Sequence, residues 1–194
     1  FYNYKKTFPV LEKLKSNREI ILNEIDNLDN QLWKKWPEVE LYNDKINEWK
    51  VFPFYGFGIW SPHHCSQCPE ITKLLKRLPG LKTALLSKLS PGTVLTPHRG
   101  WGSLSNHVLR CHYGIYVPKG NSIIVDNEER YLEENEIVVF DDSKIHYAKN
   151  HGNDDRIVLI IDMERPNWIP KGRSNVDNSS ELIDFVKEFY LANN

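Results

Sequence analysis

The sequence predicts a mainly β fold with flanking helices, and three observations lead to that class. Six short β-rich runs follow one another after Gly80, and turn sequences such as Pro-Gly and Lys-Gly-Asn separate them. Apolar residues at helical spacing precede these runs, and a last set of the same kind follows them. Short strands at such close spacing are typical of a sandwich or barrel of the jelly-roll type.

The chain of 194 residues is expected to form one domain in three parts. Residues 1–80 form a helical and irregular N-terminal part, with helices predicted at 9–28 and 70–78. Residues 81–166 form the β core, and a C-terminal helix is predicted at 180–192. The predicted strands of the core are 84–89, 93–96, 108–117, 122–125, 136–140 and 156–162.

Composition excludes some classes of partner. Lys plus Arg total 25 and Asp plus Glu total 26, so no overall field attracts nucleic acid or an anionic membrane. No apolar run approaches the roughly 20 residues that cross a bilayer, and a soluble, cytoplasmic domain is expected. The chain begins at Phe1, which leaves an upstream targeting or anchor segment open. The oligomeric state is also open.

The three cysteines do not form a disulfide framework, since their number is odd. His63, His64, Cys65 and Cys68 resemble a zinc knuckle only superficially, because neighbouring ligands cannot all reach one tetrahedral ion. A polar loop is predicted here, or a Cys65–Cys68 disulfide if the compartment is oxidising. Cys111 should lie on the opposite face of its strand from the residues on either side.

Two histidines at strand ends are the main candidates for function. His98 follows a strand-like run, and His146 closes an acidic turn after another strand. Jelly rolls bring such positions to the open mouth of the barrel. Arg156 opens the apolar run 157–161. Two imidazoles and this arginine indicate a metal site with an anion clamp, although satisfied core histidines and outward-facing arginines are the simpler alternative.

Several motifs occur together in the β core. They are SKLSPGT at 87–93, PHRG at 97–100, LRCHYGIYVP at 109–118, FDDS at 140–143 with His146, and finally Arg156. As an ordered set these motifs resemble the aspartyl/asparaginyl β-hydroxylase family, over residues 87–166. The resemblance implies a double-stranded β-helix, a cupin-like jelly roll. It also implies an Fe(II)- and 2-oxoglutarate-dependent dioxygenase that uses O2.

The resemblance assigns roles to individual residues. His98 and His146 would ligate iron. Ser87 and Arg156 would hold the distal carboxylate of 2-oxoglutarate, and Arg110 and His112 would contact the carboxylate near the metal. Arginine suits these positions because its planar fork binds carboxylates in bidentate fashion. The implied reaction hydroxylates an unactivated C–H of an amino-acid-like, peptide or lipid substrate, with succinate and CO2 as co-products.

Two aspartates follow the strand before His146. The implied reaction needs no general base, so Asp141 and Asp142 are expected to form the turn or to orient His146.

Gly100 stands where a carboxylate ligand would normally follow the first histidine. A glycine is expected there in the family. The vacated position leaves room for another ligand, so a halogenase is one alternative, and a non-catalytic jelly-roll binding module is another.

The loop after the first histidine is the candidate for substrate contact. Arg99, Trp101 and His107 lie in or beside it and are predicted to meet a small-molecule or peptide substrate, with a plain exposed loop as the alternative.

Overall fold

The architecture is two antiparallel β-sheets with helices packed mainly on one side, in a computed structural model that describes residues 1–188. The strands are β1 (Lys34–Lys35), β2 (Trp49–Gly56), β3 (Ile59–Trp60), β4 (Leu81–Leu89), β5 (Val108–Tyr116), β6 (Asn121–Val125), β7 (Glu128–Tyr131), β8 (Ile137–Phe140), β9 (His146–Asn150) and β10 (Arg156–Glu164). The larger sheet has the order β1-β2-β4-β10-β5-β8, with β3 added to β2. The smaller sheet has the order β7-β6-β9.

The helices are short and lie mostly before β4. They are α1 (Tyr4–Thr7), α2 (Glu12–Ser16), α3 (Arg18–Asp26), α4 (Pro62–Gln67), α5 (Pro69–Lys76), α6 (Gly102–Ser105) and α7 (Ser180–Val186). Single 3-10 turns occur at Pro9–Leu11, Asn30–Leu32 and Val39–Leu41. Within residues 1–188 no helix combines the length and the apolar character that crossing a membrane requires.

Alternation along the central strands gives the larger sheet two different faces. On β10, Leu159 and Ile161 point to the main hydrophobic cluster, which also contains Leu14 and Ile21 from the N-terminal helices. Arg156 and Ile160 point the other way and line a cavity. This period of two lets one strand serve both the core and the site.

The same alternation governs β4 and β5. Ser87 faces the cavity while Leu86 lies in the core, and His112 faces the cavity while Cys111 lies in the core. The prediction for Cys111 is therefore confirmed. Leu86 and Cys111 are buried on the helix side, so the strands that carry the site are anchored by packing on the opposite face.

The predicted N-terminal helix at 9–28 is interrupted. Helix α2 ends before Asn17, which has φ −115° and ψ 22°, and α3 begins after it. The Asn17 amide donates to the carbonyl of Lys13 at 2.7 Å and so competes with helical backbone pairing.

The polar loop predicted at 63–68 is wrong, because α4 occupies it. Pro62 stands in the first turn, where its fixed φ suits a helix. His64 and Cys68 are buried, and all three cysteines are free, so Cys65 and Cys68 do not form a disulfide.

Two further differences concern strands and the C-terminus. Segment 93–96 pairs with β9 only through an isolated bridge between Val94 and Lys149, and Pro97 ends it. Strands β7 and β9 were not among the six predicted runs. Helix α7 confirms the start of the helix predicted at 180–192, and positions 189–192 lie outside the described residues.

Candidate metal and anion site

The two candidate metal ligands lie side by side at the mouth of the barrel. His98 and His146 are joined by two backbone hydrogen bonds, of 3.0 and 2.8 Å, and their ring centroids are 4.5 Å apart. Each ring places Nδ1 against the carbonyl two residues earlier, Thr96 at 2.7 Å and Lys144 at 2.9 Å. A carbonyl can only accept, so Nδ1 carries the proton and Nε2 keeps its lone pair. Both imidazoles are thus held in the tautomer that binds a metal.

Burial keeps these rings neutral. It is the main cause that lowers the pKa of His98, and it lowers the pKa of His146 well below the ordinary value. A neutral imidazole is the form that coordinates a cation.

A carboxylate completes this corner of the site. Asp142 is 1% exposed, and its Oδ1 lies 3.3 Å from Nε2 of His146. Two acceptor atoms at that separation favour a cation or a cation-bound water beside them. Asp141, in contrast, forms the turn, since it accepts from Ser143 and pairs with Arg165 at 2.6 Å. The two adjacent aspartates therefore have different roles.

The position beside Gly100 is filled. A Cβ on Gly100 would overlap the Asp142 carboxylate and come within 2.8 Å of Ser105 Cβ. The backbone amide of Gly100 also donates to the carbonyl of Asp142 at 2.8 Å. The glycine is needed because a carboxylate from another strand end occupies the space of its side chain. The open coordination position at Gly100 stays a prediction, since this overlap concerns only the space of a side chain.

An anion site lies next to the imidazoles. Arg156 is 1% exposed and forms no ion pair within residues 1–188, and its Nε has no hydrogen-bond partner there. Burial lowers the pKa of Arg156 to about 10, which still leaves it charged at neutral pH. A buried cation without a counter-ion is costly, so this position favours an anionic ligand.

His112 and Ser87 supply neutral donors to the same place. Arg156 Nη2 donates to His112 Nδ1 at 3.2 Å, which leaves the proton of His112 on Nε2, a buried atom without a partner in the described residues. Burial, followed by the nearby charges of Arg156 and Arg110, lowers the pKa of His112 well below its usual range. Ser87 accepts from Trp49 Nε1 at 3.0 Å, so its own hydroxyl proton is available.

Arg110 is held rigidly between two aspartates. Its Nε and Nη2 donate to Asp162 at 2.8 and 2.9 Å, and its Nη1 lies 2.6 Å from Asp142 Oδ1. The register explains the first contact, because Arg110 and Asp162 are direct cross-strand partners on β5 and β10. One proton on each terminal nitrogen remains to reach a ligand.

These side chains surround one cavity between the two sheets. It is lined by Trp49, Ser87, Leu89, Leu95, His98, Arg110, His112, Ile123, His146, Ala148, Arg156 and Ile160. All six residues assigned to metal and cosubstrate are therefore brought together. The unpaired donors of Arg156 and His112 fit a dicarboxylate, and the two Nε2 lone pairs fit a metal ion. Within residues 1–188 no set of three His, Cys, Asp or Glu side chains is arranged to hold a metal ion.

A larger cavity of about 200 Å³ opens beside the imidazoles on the outer side. His98, Arg110 and Asp142 lie in its wall, together with Arg99 and Trp101 from the predicted substrate loop. The third substrate candidate, His107, is exposed and does not line this cavity.

An indole stack that the sequence analysis did not single out forms part of the wall. Trp36 lies between Trp49, at a centroid distance of 4.8 Å, and Trp101, at 5.9 Å. The Trp36 and Trp101 Nε1 atoms both donate to Glu38 at 3.2 Å. Ser179, the N-cap of α7, donates to the same carboxylate at 2.7 Å. The only sequence signal was the high number of Trp residues.

A second, mainly apolar cavity adjoins the first. The two share Trp36, Leu85, Trp101 and Arg110. The rest of its lining is Val51, Pro53, Gly56, Phe57, Thr83, Leu104, Asp162, Leu182 and Phe185. Apart from Arg110, Asp162 and Thr83, the lining side chains offer hydrocarbon or aromatic surface.

Comparison with known proteins agrees with the family resemblance seen in the sequence. A family model described as aspartyl/asparaginyl beta-hydroxylase matches residues 15–166. An ornithine lipid ester-linked acyl 2-hydroxylase from Rhizobium tropici is 37% identical over 145 residues, covering 72% of this chain and 50% of the relative. Aspartate beta-hydroxylase domain-containing protein 2 from Mus musculus is 32% identical over 182 residues, covering 86% and 51%. The chain thus spans about half the length of these curated relatives.

Among solved structures, a protein of the 2OG-Fe(II) oxygenase family from Burkholderia pseudomallei superposes with a TM-score of 0.51 at 13% identity. The match covers 78% of this chain and 82% of that one, and it confirms the predicted jelly-roll fold. The family match covers most of the chain, including every residue of the metal and anion site. The chain belongs to the aspartyl/asparaginyl beta-hydroxylase family of hydroxylases.

Proposed function

We propose that this domain is an Fe(II)- and 2-oxoglutarate-dependent dioxygenase that hydroxylates an unactivated C–H bond. The observation that carries the proposal is the buried, unpaired guanidinium of Arg156 beside the two imidazoles. A cosubstrate with a carboxylate at each end can satisfy Arg156 at one end and approach the metal ligands at the other. The proposed co-products are succinate and CO2.

The proposed roles of the side chains follow from their protonation states. His98 and His146 would hold Fe(II) through Nε2, because their Nδ1 atoms are committed to backbone carbonyls. Arg156 and Ser87 would bind the distal carboxylate, and the Nε2–H of His112 would donate to the carboxylate nearer the metal. Arg110 would hold Asp142 beside that position. When bound, iron and 2-oxoglutarate supply the oxidising power, with O2 as the oxidant.

The protein's own contribution is positioning and exclusion of water. The cosubstrate cavity lies between two sheets and is reached beside the imidazoles, while the substrate would enter through the larger outer cavity. Rigid strands on both sides hold the reacting groups in place.

Hydroxylation is favoured over halogenation by Asp142. A halide bound beside Gly100 would lie close to the buried Asp142 carboxylate, which occupies the space of a side chain at position 100. Two anions in one buried place repel each other, and the alternative is thereby disfavoured.

A lipid acyl chain is the proposed substrate group. The apolar cavity that adjoins the site, of about 40 Å³, offers hydrocarbon surface to one end of an aliphatic chain, and one relative is named for hydroxylation of a lipid acyl group. Burial of a chain there would supply about 0.8 kcal/mol for each CH2 group. A side chain of a peptide would use only part of this surface.

An anaerobic titration tests the proposal. Fe(II) and 2-oxoglutarate are added together to the wild-type protein, and formation of the ternary complex is followed by its metal-to-ligand charge-transfer absorption. We expect wild type and His107→Ala, the surface control, to form the complex, and His146→Ala to lose it. In air, His146→Ala should form no succinate. Substantial succinate formation by His146→Ala would sink the ligand assignment.

A further inference from the structure

Two of the buried charged side chains in residues 1–188 have no partner of opposite charge. Asp141 pairs with Arg165, and Asp142 and Asp162 both pair with Arg110. Arg156, on the cosubstrate side, is one of the two exceptions. The other is Glu38, which is 8% exposed and lies in the wall of the outer cavity.

The neighbours of Glu38 are neutral. Its carboxylate accepts from the indoles of Trp36 and Trp101 and from the hydroxyl of Ser179. Neither of the two arginines that line the same cavity pairs with Glu38. Arg110 is paired with its aspartates, and Arg99 donates through Nη1 to the carbonyl of Ser143 at 2.7 Å. Neutral donors orient the carboxylate and leave its charge uncompensated.

The surroundings of Glu38 suit a cation from outside the chain. Three indoles line the cavity on which Glu38 opens. Trp36 is stacked between the other two, so the outer faces of the stack, on Trp49 and Trp101, are the ones that could attract an ammonium group. A carboxylate and aromatic rings together are the chemistry that binds a protonated amine. An anionic or neutral group would leave the buried carboxylate without compensation.

From these contacts we infer that Glu38 binds a cationic group of the substrate, an ammonium carried on the same molecule as the carbon that is oxidised. The inference rests on the proposed function, because it takes the outer cavity to be the place of that substrate. The substrate is then an amphiphile, with its ammonium at Glu38 and part of its aliphatic chain against the adjoining apolar cavity.

The test uses two amides that differ in one group. N-lauroyl ethylenediamine carries an ammonium, and N-lauroyl ethanolamine has a neutral hydroxyl in its place. Each is titrated into the protein with Mn(II) and 2-oxoglutarate, below its micelle concentration, and binding is followed by tryptophan fluorescence. We expect wild type to bind the ammonium amide about tenfold or more tightly than the neutral one.

Two variants test whether Glu38 is the residue that causes the preference for the ammonium amide. Glu38→Gln should weaken binding of the ammonium amide about tenfold and change the affinity for the neutral amide by about twofold at most. Glu181→Gln is the matched control, because this exposed carboxylate on α7 lies outside both cavities and its charge is screened by solvent. It should bind both amides as wild type does. A thermal melt shows whether Glu38→Gln is folded. The comparison of the two amides on the wild-type protein tests the inference even if this variant does not fold.

The inference is overturned if wild type binds the two amides equally, binds neither, or prefers the neutral one. It is also overturned if Glu38→Gln weakens binding of both amides to the same extent. The same holds if Glu181→Gln loses the preference for the ammonium amide as strongly as Glu38→Gln does. The titration of Fe(II) and 2-oxoglutarate does not involve Glu38. The oxygenase proposal can therefore stand when this inference falls, and it fails separately if that titration shows no complex.

Discussion

The carboxylate of Asp142 occupies the space that a side chain on Gly100 would need. The two residues come from different strand ends, and a backbone hydrogen bond of 2.8 Å ties them together. In the commonest non-haem iron sites a carboxylate follows the first histidine two positions later in the chain. Here a carboxylate reaches the same neighbourhood from a different part of the fold.

The site should therefore tolerate moving the carboxylate from position 142 to position 100 better than it tolerates a second carboxylate. Gly100→Asp alone is expected to weaken binding of Mn(II) and to lower stability, because two carboxylates would collide in a buried space. Gly100→Asp combined with Asp142→Gly should recover a large part of both losses. Metal affinity is measured by electron paramagnetic resonance. Tighter Mn(II) binding by the single variant would contradict the overlap of these side chains.

Replacing Arg156 should raise the stability of the protein while removing its cosubstrate. Arg156→Met takes a charge without a counter-ion out of the core, so the free energy of unfolding without ligands should increase by about 1–3 kcal/mol. The rise in melting temperature that 2-oxoglutarate and Mn(II) cause in wild type should disappear.

Arg165 provides the contrast for that experiment. It is buried like Arg156 but pairs with Asp141 at 2.6 Å, so Arg165→Met should lose about 3–5 kcal/mol of stability. Denaturant unfolding of both variants gives the comparison. Equal destabilisation by the two substitutions would mean that Arg156 has a partner in the free protein.

A bulky residue in the apolar cavity should change the preferred chain length. Leu104, on α6, lines that cavity and is half-buried. Leu104→Trp fills space there, so long acyl chains should be hydroxylated more slowly and short ones at nearly the wild-type rate. Competition between acyl chains of different length, read by product mass, checks this. If the preference for acyl-chain length is unchanged, the acyl chain does not bind in this cavity.

Acid should destabilise the protein partly through His64, which lies outside the site. Burial lowers the pKa of His64 to about 4, so the folded form holds this ring neutral while the unfolded chain takes up a proton at a pKa near 6.5. Above pH 6.5 His64 is neutral in both states and does not destabilise the fold. As the pH falls from 6.5 towards 4, protonation of the unfolded chain lowers the free energy of unfolding. Between pH 7.5 and 5 the loss is about 2 kcal/mol.

His64→Gln should remove that part of the slope. Urea unfolding at the two pH values, compared with the exposed control His151→Gln, measures it. A slope that stays at the wild-type value in His64→Gln would show that other groups cause the acid sensitivity.

Residue patterns alone pointed to His98, His146 and Arg156, because strand ends are local patterns, whereas Ser87, Arg110 and His112 were assigned by the family resemblance. Ser87, His112 and Arg156 each stand at a cavity-facing position of a strand, and each has a neighbour in the chain that packs in or against the core, namely Leu86, Cys111 and Ile157. The contacts between strands were not predictable in this way. Asp162 meets Arg110 through the register of β10 on β5, and that register depends on packing across the whole sheet.

Glu38 and Trp36 were missed for a related reason. They lie in an irregular segment that has no periodicity, and their role depends on contact with Trp101 and Ser179, which are far away in the chain. The loop predicted at 63–68 failed because polar residues were taken to mean exposure, whereas His64 is buried against Phe52 with ring centroids 4.2 Å apart.

The indole stack has a consequence for how this protein could be re-engineered. Trp36, Glu38 and Val176 line the outer cavity, and Leu182 and Phe185 line the apolar cavity beside it, while the imidazoles and the anion site belong to the β core. Part of the wall of the two cavities therefore comes from segments outside the β core that carries the metal and anion site. Exchanging residues 36–38 and 174–185 together, so that the hydrogen bond between Ser179 and Glu38 is preserved, should change the proposed substrate preference without altering the candidate metal and anion site.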